Sequence, residues 1–92
     1  MVMSNKTSAA DMLDHCASVV RERGDNYGRP SDNFRRIADL WSVYLGRDVS
    51  LQDVGMLMAL VKVARLMATP GHSDSLVDLA GYAAATYEAI ND

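Results

Sequence analysis

The chemistry-bearing residues of this chain cluster around one turn. In GMLMALVKVARLMATPGHSDSLVDLAGYAA (Gly55 to Ala84) an apolar run is interrupted by only two cations, Lys62 and Arg65. After the Thr69-Pro70-Gly71 break come two acids, Asp74 and Asp78, and then Tyr82 four residues further on. On a helix, residues four apart share a face. Asp74, Asp78 and Tyr82 therefore form one stripe, and reflection of the chain about Gly71 sets Arg65 beside Asp78 with Lys62 a turn away. Lysine and arginine neutralise phosphate, and tyrosine stacks on a base. The same residues also suit a plain ion-paired hairpin, which at a surface contributes only about 0–1 kcal/mol.

A second group lies in RERGDNYGRP. Arg21, Arg23, Tyr27 and Arg29 sit there, with Arg35 and Arg36 following, so five of the nine basic residues fall between positions 21 and 36. Arg23 points to the packed side of its helix at the C-terminal end. Tyr27 precedes Gly28, whose backbone reaches dihedrals closed to other residues. An aromatic beside arginines suits a nucleotide, and it equally suits a solvated loop whose tyrosine packs on the protein.

Four helices position these groups. The first is expected over Ser8 to Arg23, capped by Thr7 or Ser8 and ended by Gly24, with residues 1–6 as a loose tail and 7–92 as one helical domain. The second runs from Asp32 to Leu45 behind a Ser31 cap and buries Phe34, Ile37, Ala38, Trp41, Tyr44 and Leu45. Ser50 and Asp53 resemble a capping box that opens the third, which continues to Ala68. Ser73 caps the fourth, which extends to Ile90 and packs through Leu76, Val77, Ala80, Ala83, Ala84 and Tyr87. The third helix is apolar on two sides, with Val54, Leu57, Val61 and Ala64 on one and Met56, Leu60, Val63 and Met67 on the other. The reading is an all-α four-helix bundle that associates as a homodimer or higher homo-oligomer through that helix, against the alternative of a tight monomer.

Composition narrows the function. Ninety-two residues with 49% hydrophobic and 23% charged content fit one small globular unit. A net charge of −3 disfavours general nucleic-acid binding while permitting a local basic site. The lone Cys16, on an apolar helix face, reads as a core residue, and two distant histidines do not make a zinc site. With no long apolar run and no apolar leader, the expected location is the cytoplasm, away from membranes.

The pattern DNYGRPSDNF…IADLWSVYLG…DVGMLMALVKVARLM…HSDSLVDLAGYAA resembles a family of small, largely phage-encoded proteins without an assigned activity, over nearly the whole chain beyond its first ten residues. More distantly, the order Tyr27-Gly28, Lys62-x-x-Arg65 and Asp74-x-x-x-Asp78-x-x-x-Tyr82 is similar to phage nucleotide-modification-associated domains and to the all-α MazG-like nucleotide pyrophosphohydrolases. The MazG likeness implies Mg²⁺ held by helical acid pairs, here Asp74 and Asp78. Where that group has a first acidic pair on the facing helix, this chain has Lys62 and Arg65.

The expected function is nucleotide binding in the cytoplasm of a bacterial host. Arg23, Lys62 and Arg65 would meet phosphate, Tyr27 or Tyr82 would stack the base, and Asp74 and Asp78 would hold Mg²⁺ or orient the cations. Mg²⁺-dependent pyrophosphohydrolase chemistry is the enzymatic form of this reading. The alternative is a non-catalytic oligomeric adaptor whose charged hairpin is structural.

Overall fold

The computed structural model describes residues 8–92, so the N-terminal tail and a Thr7 cap lie outside the described residues. Four helices follow in order: α1 (Ala9–Tyr27), α2 (Pro30–Leu45), α3 (Leu51–Ala68) and α4 (Ser73–Asn91). No strand occurs among the described residues. Two helix starts are reciprocal capping boxes, Ser8 with Asp11 and Ser50 with Asp53, each serine accepting from the acid's backbone N–H. Gly46 ends α2 in the left-handed conformation at φ 68°.

Three boundaries differ from the sequence reading. Gly24 does not end α1: the helix runs through it to Tyr27, and Gly28 stops it at φ 80°, its N–H donating to the Gly24 carbonyl at 2.9 Å. A helical glycine is disfavoured by only about 1 kcal/mol, whereas the positive φ at Gly28 breaks the helical path outright. The second helix starts at Pro30, with Arg29 as its cap; proline suits the first helical position because its missing N–H has no partner there. Ser31, expected as the cap, is buried instead and donates to the Asp92 carboxylate, which also pairs with Arg29. Before α4 the cap is His72 rather than Ser73, its Nδ1 accepting from the Ser75 N–H at 3.2 Å.

Helix α4 is central. It packs most extensively on α3 and also against α1 and α2, while α1 and α3 do not meet. The core is small: Val54, fully buried, clusters with Phe34, Ala38 and Ala89, and Ile37, Trp41, Met58, Tyr82 and Ala85 pack around it. Cys16 is buried as expected. Tyr44 and Leu45 are not, Tyr44 being 87% exposed. Val43 beside them is exposed as well, so the outer side of the last turn of α2 faces outward.

The inward face of α4 is also rotated from the one expected. Of the expected face, Val77 is buried and Ala80 half-buried, but Leu76, Ala83, Ala84 and Tyr87 are exposed, while Ser75, Thr86 and Ala89 are buried and Asp78, Tyr82 and Ala85 half-buried. Gly55 of α3 sets this rotation. A Cβ there would lie 2.8 Å from the Thr86 Cβ and nearer still to its Oγ1, so the glycine is the notch that receives Thr86. The threonine hydroxyl is satisfied by donating to the Tyr82 carbonyl at 2.6 Å.

Candidate functional site

A cavity of about 760 Å³ lies where α1, the start of α2 and α4 come together, on the edge of the core, with Lys62 of α3 at its side. Its wall is built from the C-terminal turns of α1, the turn Gly28-Arg29-Pro30, the first turn of α2, Lys62 of α3 and one stripe of α4. Phe34, Tyr82 and Ala85 belong both to the core packing and to the cavity wall, so the core supports the site directly. This size falls within the roughly 300–1,000 Å³ range of small-molecule pockets.

Asp78 organises the charges. Its Oδ1 accepts from Arg23 at 2.6 Å and its Oδ2 from Lys62 at 3.0 Å, joining α1, α3 and α4 through one carboxylate. The Asp78 side chain is only 17% exposed. Burial alone would raise its pKa, but the hydrogen bonds and charges of Lys62 and Arg23 outweigh it and hold the carboxyl below its ordinary value of 3.8. A depressed folded-state pKa stabilises the fold above the unfolded value, and that contribution disappears as pH falls through the folded value. Urea unfolding between pH 6 and pH 2.5 will therefore show the wild type losing stability on acidification more steeply than Asp78→Asn. Equal acid limbs would show that the triad contributes nothing to folding.

Five of the seven residues singled out from the sequence meet at this cavity: Arg23, Tyr27, Lys62, Asp78 and Tyr82. Two do not. Arg65 is exposed and lies 3.5 Å from the His72 ring, not beside Asp78. Helix α3 meets α4 about one turn out of the register that reflection about Gly71 implies, so Lys62 takes the place expected of Arg65. Asp74 is exposed and is not part of the cavity wall. Arg21, Arg29 and Glu88 also line it. The density of bases in RERGDNYGRP signalled the two arginines, whereas nothing local to Glu88 marks it.

The described residues present no ready-made cluster for a resident metal. Both oxygens of Asp78 already accept from cations, and the described residues hold no group of three or more His, Cys, Asp or Glu side chains able to bind a metal. The cavity instead favours an anion. Arg21, Arg23, Arg29 and Lys62 face Asp78, Glu88 and the Asp92 that pairs with Arg29, so four cations meet three carboxylates and the concave surface keeps a small positive balance. Asp78 occupies part of the guanidinium of Arg23 and one proton of Lys62, so further donors remain on each for a ligand.

This helical unit defines a known class. Residues 11–90 match the model of the Domain of unknown function (DUF6378), and the chain belongs to that family. Two of its relatives are bacteriophage proteins. It is 52% identical over 62 residues to the Gene 55 protein of Mycobacterium phage D29, covering 67% of this chain and 41% of that one. To the Gene 55 protein of Mycobacterium phage L5 it is 43% identical over 82 residues, 88% of this chain and 49% of the relative. The aligned part thus spans less than half the length of either. No solved structure matches the chain. Among the described residues, no helix is long and apolar enough to cross a membrane.

Proposed function

We propose that this protein binds a nucleotide, or a small phosphate compound like one, in the cavity beside α4. The observation that carries the reading is the convergence of Arg23, Lys62 and Arg21 with Tyr27 and Tyr82 on one concave surface, where Arg29 is held by Asp92. Phosphate would take the free donors of Arg23 and Lys62, with Asp78 keeping both cations aimed at one point in the absence of ligand. Tyr27, which is exposed, and the half-buried Tyr82 offer faces for a base. The distant MazG-like resemblance rests on the order of these residues, and the pairing of Asp78 with two cations favours binding over Mg²⁺-dependent hydrolysis. The test is thermal unfolding against mono-, di- and triphosphate nucleotides with and without Mg²⁺. A metal-independent rise supports the binder, a rise that needs Mg²⁺ restores the hydrolase-like reading, and a flat panel rejects both.

A second observation favours self-association, and with it the adaptor alternative. Met56, Leu57, Leu60, Val61, Val63 and Met67 of α3 are all exposed, Met67 at 81%. On a helical wheel they cover the side of α3 turned away from α4, and no charge falls among them from Met56 to Val61. An uncharged apolar face is self-complementary under a two-fold axis, and a stable dimer needs about 800 Å² from each partner. The proposed assembly is a homodimer or higher homo-oligomer seamed by α3. Sedimentation at micromolar concentration will give at least twice the chain mass, and Leu60→Glu will reduce it to one chain. A wild-type monomer would reject the seam.

A further inference from the structure

Three glycines lie inside helices, and only one is explained by packing. Gly55 is required because Thr86 fills the space its Cβ would occupy. At Gly24 in α1 an added Cβ would meet nothing within 4 Å, and at Gly81 in α4 it would meet only Val20 Cγ2, at an ordinary contact distance of 3.9 Å. Neither has a positive φ. Glycine is disfavoured against alanine in a helix interior, so the fold itself gives these two positions no reason to lack a side chain. Both line the cavity. Gly24 follows Arg23 directly, and Gly81 lies one turn beyond Asp78 and next to Tyr82, so the two open places flank the charged group.

We infer that Gly24 and Gly81 are clearance residues that determine what the cavity accepts, leaving room for the sugar and base of a nucleotide whose phosphates meet Arg23 and Lys62. The inference rests on the nucleotide reading and adds the residues that select for a body larger than phosphate. A bare anion would need the cations and not the clearance. A nucleotide needs both.

Gly24→Ala and Gly81→Ala separate these requirements, because their effects on folding and on binding run in opposite directions. Each variant, without ligand, is expected to melt roughly 3–6 °C higher than the wild type from helix propensity alone. Calorimetric titration with the four ribonucleoside triphosphates will show affinity lowered about tenfold or more, the scale set by one intruding methyl group in a close-fitting pocket. Inorganic tripolyphosphate will bind the variants as it binds the wild type. Variants that melt lower would show that the fold needs the glycines, and unchanged nucleotide affinity would show that the ligand does not approach them; either overturns the inference while leaving the site standing. A wild type that binds tripolyphosphate but no nucleotide also overturns it. If the wild type binds neither, the nucleotide reading fails and the inference fails with it.

Discussion

Gly55→Ala will lower the stability of the fold by about 2–3 kcal/mol, seen as a fall of roughly 10 °C in the melting temperature. Alanine is the better helix former by about 1 kcal/mol, so propensity alone predicts the opposite sign. Packing decides the outcome. The new Cβ would stand 2.8 Å from the Thr86 Cβ and 3.0 Å from its Cγ2, and both helices are held by the small cluster of Val54, Phe34, Ala38 and Ala89. Relief requires α3 and α4 to separate, which opens the most extensive helix contact in the molecule. Thr86→Ala in the same chain removes the Oγ1 and Cγ2 contacts but leaves the Cβ, so it will recover part of the loss. That coupling is the signature of two residues in direct contact. Gly55→Ala and Gly81→Ala make the same chemical change in neighbouring helices, and they will shift the melting temperature in opposite directions.

Lys62→Met will weaken nucleotide binding by about 10–100-fold, the scale of one charge-assisted hydrogen bond to phosphate. The effect on folding will be smaller, because Asp78 keeps Arg23 as a partner at 2.6 Å. Arg23→Met alone should behave alike, with Lys62 holding the carboxylate at 3.0 Å. The double variant differs in kind. It leaves a largely buried carboxylate without either cation, so its loss of stability in urea will exceed the sum of the two singles. Arg65→Ala is the control: it lies at His72 rather than on the cavity, and its affinity will match the wild type.

The helices were legible where a local signal set them. Ser8, one of the two expected caps, and Ser50 with Asp53 are short-range devices, and each stands where the sequence puts it. Reading failed where two local signals compete, as at Gly24 and Gly28, since a glycine ends a helix only if the chain also adopts positive φ there. It failed again on the rotation of α4. Apolar residues mark an inward face only when nothing overrides them, and here the Gly55 notch and the neutralised Asp78 turn the small and polar stripe inward. Five of the seven expected site residues nevertheless converge on the cavity, Tyr27 a turn beyond Arg23 and Tyr82 a turn beyond Asp78, whereas Asp74 and Arg65 are each a turn from a wall residue and are not part of the wall. The link from Arg23 to Asp78 spans 55 positions, so no count along the hairpin could find it, and the same count misassigned Arg65 by one turn.

The most direct test of the nucleotide site is thermal unfolding of the wild type beside Lys62→Met, each with nucleoside mono-, di- and triphosphates at millimolar concentration in metal-free buffer. A ligand at a hundredfold excess over its dissociation constant adds about 2.7 kcal/mol to the native state, a rise of roughly 10 °C for a domain of this size. The predicted result is such a rise for at least one nucleotide with the wild type, greatly reduced in Lys62→Met. Equal shifts in both proteins would place any binding outside this cavity, and no shift with any nucleotide would contradict the proposed function itself.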